Sequence, residues 1–372
     1  IKLDFINGIG AHFGHSLELL RNANINAAIE DTIMQGNLQQ NERSFKLMKL
    51  LLQQSKFDHC MLTSSGAMAN ENGLKLLFHK SMGKSRLLAF ENCFMGRTLS
   101  LAQITDKAKY RKGLPSIIHV DYLPFYDSKN HKKSINETKN KLKQLLQRYP
   151  NQYAGICMEL IQGEGGYNIG NEEFFKEVIA LLKNESIPVL IDEVQTFGRT
   201  SELFASQHFN IIQDVDIITI GKLSQVCATI FKKEMKPEPG LISQTFTAST
   251  SAIESGHQII SHLIKTQYFG KKGKNMVFGN YFNSLIKKLS IKHPNKISGP
   301  YGLGGMLVFT PFEGNPNLVS DLLLKLYNNG LMGFTTGSYP QRIRFLLPLG
   351  SVTKKDIEEA INIIDKSISE TP

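Results

Sequence analysis

Between residues 60 and 220 the chain alternates two hydrophobic rhythms, and few folds accept that pattern. CMLTSS (60–65), RLLAFE (86–91), GICMEL (155–160), VLI (189–191) and VDIITI (215–220) are short apolar runs that read as buried strands. Helical stripes lie between them. Ala69, Gly73, Leu76 and Leu77 recur at i, i+4, i+7 and i+8, and Phe174, Phe175, Val178, Ile179 and Leu182 mark a second apolar face. Strands alternating with helices build βαβ units, so the expectation is an α/β chain with a mostly parallel, covered central sheet. Past residue 252 the texture changes to helical patterns with exposed lysine clusters such as KKGK (271–274). A Gly-rich turn, GPYGLGGM (299–306), an apolar strand, LVFT (307–310), and an amphipathic helix near 354–369 follow. These predict a smaller α+β domain completed by the N-terminal segment. The expected division is 28–251 for the large domain, with 1–27 and 252–372 forming the small one.

At 372 residues, 41% hydrophobic and 20% charged, the chain can bury such a core and carries no disordered tract. No apolar stretch approaches the roughly 20 residues that span a bilayer. The opening IKLDFINGIGAHFGHS lacks the pattern of a secretory signal, and it enters abruptly on what reads as a strand, so a segment upstream is expected to be missing. Cys60, Cys93, Cys157 and Cys227 show no CxxC spacing, which predicts reduced thiols in a cytoplasmic protein without a metal site. The net charge of +10 reads as a solvated basic surface. No aromatic-interleaved basic stretch points to nucleic acid, whereas acidic small molecules would suit the charge.

In open parallel sheets, ligands bind beyond the carboxyl ends of the strands, so the polar residues that follow the apolar runs are the informative ones. Lys222 ends VDIITIGK, where burial would depress an ammonium pKa; it reads either as a lysine on a solvated loop or as one that forms a Schiff base with a carbonyl cofactor. Asp192 ends VLID, an acid after a buried strand that needs a cation, and the pyridinium of a pyridoxal ring would supply it. Gln195 is placed to reach that ring's 3'-oxygen. Ser65, Gly66 and Ala67 stand where a strand turns into a helix, a seat for phosphate as well as an ordinary tight turn. Phe94 in ENCFMGRT is either a flat face for the ring or a core phenylalanine.

SSGAMAN, FENCFMGRT, MELIQGEGG, LIDEVQTFGRT, DIITIGK, QTFTAS and IRFLLPL follow in order across almost the whole chain. In that series the sequence resembles the class III aminotransferases, fold-type I pyridoxal-phosphate enzymes that include acetylornithine, ornithine, 4-aminobutyrate and lysine 6-aminotransferases. The resemblance implies a homodimer with shared active sites and pyridoxal 5'-phosphate as cofactor. It implies an amino-acid donor whose terminal amino group passes to 2-oxoglutarate. It makes Lys222 the Schiff-base lysine and proton shuttle, Asp192 the partner of the pyridine nitrogen and Gln195 its neighbour at the 3'-oxygen. Ser65, Gly66 and Ala67 would hold the phosphate, Phe94 would stack on the ring, and Thr245 would reach the phosphate from the other subunit. Arg344 would clamp a substrate carboxylate, Glu164 would cover that arginine when a basic donor is bound, and Glu159 would be a supporting acid.

The sequence departs from the family pattern at Met68, Met95, Ser249–Thr250 and Leu347, and the segment after Lys222 runs LSQVCATIF where glycines are usual. These departures leave the catalytic groups in place and leave the donor open, with Gly8, Ile9, Phe13 and Phe94 expected to shape its pocket. A racemase or epimerase on the same fold, and a cofactor-binding homologue without turnover, are the alternative readings.

Overall fold

The computed structural model describes residues 3–6, 10–30 and 40–371; Gly8 and Ile9 lie outside them. Its centre is a seven-stranded sheet built from β1 (His59–Thr63), β2 (Arg86–Phe90), β3 (His119–Leu123), β4 (Tyr153–Met158), β5 (Val189–Asp192), β6 (Ile217–Ile220) and β7 (Cys227–Phe231). Across the sheet the order is β1-β7-β6-β5-β4-β2-β3, and only β7 runs against the rest. Alternation along the strands sends Leu88, Phe90, Ile156, Ile191 and Ile218 to one core and Leu87, Ala89, Cys157, Leu190 and Ile217 to another. The sheet is therefore covered on both faces, which is why its strands read as continuous apolar runs.

Helix α1 (Gly66–Lys80) buries Ala69, Gly73, Leu76 and Leu77, as the spacing predicts. It presses so close to the sheet that a Cβ on Gly73 would stand 2.4 Å from Leu190 Cδ1. Helix α2 (Glu172–Asn184) buries Phe174, Phe175, Val178, Ile179 and Leu182 and is capped by Asn171, whose side chain accepts the Phe174 N–H at 2.8 Å.

A second, four-stranded sheet consists of β8 (Ile297–Leu303), β9 (Met306–Pro311), β10 (Phe334–Thr336) and β11 (Arg342–Leu346), ordered β8-β9-β11-β10. Here the expectation of a Gly-rich turn fails. Residues 297–303 form a strand antiparallel to β9, with a bulge between Ser298 and Tyr301, and only Gly304 and Gly305 turn the chain. The glycines serve close approach: a Cβ on Gly302 would stand 2.1 Å from the Met306 carbonyl oxygen. The N-terminal segment joins this region, since Leu3–Asp4 pairs in parallel with Leu331–Met332 and Leu346 N–H donates to Phe5 O at 2.7 Å. The last helix, α3 (Lys354–Ser369), starts on a capping box between Thr353 and Asp356. All four cysteines are free, and no cluster of potential metal ligands and no helix long and apolar enough to cross a membrane occurs among the described residues.

Candidate active site

The carboxyl ends of β1, β4, β5 and β6 and the loop after β2 converge on a cavity of about 280 Å³. Gly66, Ala67, Asn70, Phe94, Met95, Gly96, Arg97, Glu159, Asp192, Val194, Gln195 and Lys222 line it. Of the expected site residues, Gly66, Ala67, Phe94, Asp192, Gln195 and Lys222 thus meet in one space. Ser65 sits just behind it as the N-cap of α1, its hydroxyl oxygen accepting the Met68 N–H at 3.2 Å, with the O–H still able to donate. Thr245 is exposed and does not line the cavity. Phe13 is buried elsewhere, edge-on against His262.

Asp192 ends β5 and is 8% exposed. Val194 N–H donates to its Oδ1 at 2.8 Å and Asn70 Nδ2 to its Oδ2 at 2.7 Å. Burial pushes the Asp192 carboxyl above the usual range, while Asn70, Val194 and the nearby Lys222 pull the other way. A cation entering the cavity would tip this balance to the ionised form. Asn70 is tied down in turn, donating to Met95 O at 2.7 Å and accepting from Thr219 Oγ1 at 2.6 Å. Glu193, the neighbouring acid, faces away and accepts the N–H groups of Ala205 and Ser206 at 2.5 and 2.9 Å. Its role is to terminate backbone, not to line the cavity.

Lys222 follows β6 with φ of 54°, a conformation unusual for a residue with a side chain and common at functional sites. Burial and the cationic Arg199 and Arg344 lower its pKa, while Asp192 opposes them. The amine is thereby brought nearer its neutral, nucleophilic form.

Glu159 binds the walls together. Its Oε2 accepts the Phe94 N–H at 2.8 Å and its Oε1 accepts the Gly163 N–H at 2.9 Å. Burial first, then the Asp192 charge, raise its carboxyl to about 8. Gly163 is the bridge to the second sheet: a Cβ there would fall 1.7 Å from Gln195 Oε1, and its carbonyl accepts from Arg344 Nη1 at 3.1 Å and Thr336 Oγ1 at 2.7 Å. Arg344 itself is 4% exposed and pairs with Glu164 through Nη2 and Oε1 at 2.6 Å. Its Nε is buried without an acceptor. A buried guanidinium donor left open is a place for a ligand's carboxylate.

The sequence reading overlooked Asn70 and Arg97. Asn70 lies within SSGAMAN, one turn after Gly66, and an amide beside the apolar positions of the helix was the available signal, one it shares with the equally buried Asn72. Arg97 follows Phe94 in ENCFMGRT and stands at the cavity rim over the Tyr110 ring, 4.2 Å from its centroid.

The family model described as Aminotransferase class-III matches residues 2–368. The chain belongs to the class III aminotransferases. An acetylornithine aminotransferase of Methanocaldococcus jannaschii is 30% identical, over 99% of this chain and 89% of that protein. One of Caldanaerobacter subterraneus is 28% identical, over 99% and 90%. Among solved structures, the lysine aminotransferase from M. tuberculosis superposes with a TM-score of 0.87 at 20% identity, covering 99% of this chain and 90% of the other. The resemblance carried by the seven motifs is borne out, and the aminotransferase's seven-stranded and four-stranded sheets are those of the fold-type I architecture expected from it.

The residues fit the cofactor of that family. A phosphorylated pyridine aldehyde requires an acid for its ring nitrogen, an amine for its carbonyl, an aromatic face and a seat of free N–H groups. Asp192, Lys222, Phe94 and the first turn of the fifteen-residue helix α1 bring these to one cavity.

Proposed function

We propose that this aminotransferase uses pyridoxal 5'-phosphate to move the terminal amino group of a basic or ω-amino acid to 2-oxoglutarate. The placement of Lys222 and Asp192 in one cavity carries the reading. When bound, the cofactor supplies the electron sink that makes the substrate's Cα–H or terminal C–H acidic. Lys222 would hold the cofactor, and its Nζ would take up and return that proton. Asp192, braced by Asn70 and Val194, keeps the ring nitrogen protonated. Ser65, Gly66 and Ala67 bind the phosphate, Phe94 covers one ring face, and Gln195 meets the 3'-oxygen.

Two half-reactions demand that one site accept first a basic donor and then a dicarboxylate. Arg344 serves the second, binding the carboxylate beside the keto carbon of 2-oxoglutarate, which the terminal carbon of a basic donor lacks, and Glu164 neutralises it during the first. Arg97 at the rim offers a second guanidinium for the far carboxylate, the donor's α-carboxylate or the distal one of 2-oxoglutarate. A racemase has no need of such an alternation, so the Glu164–Arg344 pair favours transfer over racemisation. The names of the relatives, acetylornithine and lysine aminotransferases, support a basic donor.

The active form is a homodimer in the cytoplasm, with Thr245 completing the partner's phosphate site. Exposure of Thr245 and of the neighbouring Phe246, at 45%, supports that placement, and the free cysteines suit the compartment. The separate seven-stranded and four-stranded sheets support a cofactor-binding domain at 28–251 and a small one from 1–27 with 252–372, with both bounds falling inside helices, Glu18–Ile29 and Thr250–Lys265.

The test is glutamate formation from 2-oxoglutarate with lysine, ornithine, acetylornithine and 4-aminobutyrate as donors. One or more should react. Failure of all four, with cofactor bound, would refute the assignment.

A further inference from the structure

Glu164 sits at the tip of a hairpin too small to hold itself. The hairpin pairs Ile161–Gln162 with Asn168–Ile169, two residues a side, and its tip reads Gly163-Glu164-Gly165-Gly166 before the buried Tyr167, whose N–H donates to Gln162 O at 2.8 Å. Such a tip has little intrinsic preference for one conformation. Contacts from outside the hairpin therefore set where the Glu164 carboxylate points: its carbonyl accepts from Gly337 N–H at 3.1 Å and from Lys107 Nζ at 3.2 Å, and the second sheet adds side chains to these.

Strand β11 supplies two arginines for this. Side chains two apart on a strand share a face, so Arg342 and Arg344 lie side by side. Arg344 holds the hairpin before Glu164, through Gly163 O at 3.1 Å, and holds Glu164 itself. Arg342 holds it on the far side of Glu164: Nη1 donates to Gly166 O at 2.6 Å and approaches Asn168 Oδ1 at 3.4 Å. Asn168 in turn closes the hairpin by donating to Gln162 Oε1 and Gly165 O, both at 3.1 Å. The Arg342 guanidinium is itself fixed, lying 4.6 Å from the centroid of the Tyr301 ring. The two clamps differ in one respect. A substrate carboxylate competes for the contacts of Arg344, whereas Arg342 lines a different cavity, with Asn168 and Tyr301, from the one that holds Lys222 and Asp192.

We propose that Arg342 is a positioning residue: by anchoring Gly166 and Asn168 it keeps the hairpin still while the Glu164 side chain alone moves on and off Arg344, and so sets the preference between basic donor and dicarboxylate. This rests on the reading of Glu164 and Arg344 given above.

The experiment measures the two half-reactions of the holoenzyme separately by single-turnover kinetics, with the best donor of the screen and with 2-oxoglutarate. Arg342→Met frees the tip, so Glu164 covers Arg344 less often. The donor half-reaction should lose about tenfold in kcat/KM, as expected for one charge-assisted hydrogen bond, while the 2-oxoglutarate half-reaction changes less than about threefold. Arg342→Lys, which keeps a donor for Gly166 O, should recover most of the loss. In the cofactor-free chain, amide hydrogen exchange should quicken at 163–168 in Arg342→Met and stay unchanged in the central sheet.

Glu164→Gln should shift the ratio of half-reactions in the same direction, and adding Arg342→Met to it should shift the ratio no further. Equal loss in both half-reactions, an additive double variant, or unaltered exchange at 163–168 would overturn the inference alone. If Glu164→Gln leaves the ratio unmoved, the reading beneath it falls and the inference with it.

Discussion

Replacing Asn70 by alanine tests how the cavity is braced. The amide makes three contacts: it donates to Asp192 Oδ2 and to Met95 O, each at 2.7 Å, and accepts from Thr219 Oγ1 at 2.6 Å. Asp192 borders the cavity, so water replaces most of its lost bond. Met95 and Thr219 are 1% and 0% exposed and have no such recourse. Two buried polar groups left unsatisfied cost roughly 1–3 kcal/mol each, which places the loss at about 2–6 kcal/mol. That is a large part of the roughly 5–15 kcal/mol by which domains are stable. Urea denaturation of the cofactor-free chain at pH 7 should show a lower midpoint with little change in slope. Asn70→Asp keeps an acceptor for Thr219 but sets a second carboxylate against Asp192, so its deficit should be larger at pH 8 than at pH 5. An Asn70→Ala chain within about 0.5 kcal/mol of the parent, less than the cost of even one unsatisfied group, would refute the reasoning.

Glu159 should make the cofactor-free chain less stable as pH rises. Folding lifts its carboxyl from 4.5 to about 8, so between those values the folded chain holds a proton that the unfolded chain has released. Stability from this group is full below 4.5 and is lost by about 8, at up to ~1.4 kcal/mol per pH unit. Glu159→Gln should flatten the slope measured by urea titration at several pH values, whatever constant offset it adds; an unchanged slope would count against the buried, proton-holding acid. Gly73→Val forces a side chain into the space of Leu190 and should cost about 1–3 kcal/mol by overpacking, read from the thermal midpoint. Lys222→Ala should abolish the visible absorbance band of the cofactor-loaded protein and its glutamate production. A variant that keeps both would remove Lys222 from the mechanism.

What could be read from the sequence follows from burial. Strands β1, β2, β4, β5, β6 and β9 carry apolar runs, and α1 and α2 show one-sided stripes, so the local pattern states the fold. Strand β3 (HVDYL) lies at the sheet's edge with only Leu123 fully buried, and its polar pattern hides it. Strand β7 (CATIF) is wholly buried but returns directly after Lys222 through Gln225 at φ 62°, and nothing in its composition announces the reversal. The glycines of β8 suggest turning where they permit close strand packing. The cavity was legible because its chemistry is concentrated at strand ends. Asn70, Arg97 and Arg342 were not, because their roles come from partners far along the chain, which appear only after the strands are placed side by side.

Asp192 ends β5 directly opposite Thr219 of β6, and Lys222 comes three residues later. The spacing of acid and amine is thus inherited from neighbouring rungs of one hydrogen-bonded ladder in the middle of the sheet. Glu164 and Arg344 stand instead on a small hairpin and on the second sheet. On the proposed roles, new substrates can be explored by altering those outer pieces while the reaction's machinery stays put, and selection for a different donor has somewhere to act without reopening the chemistry.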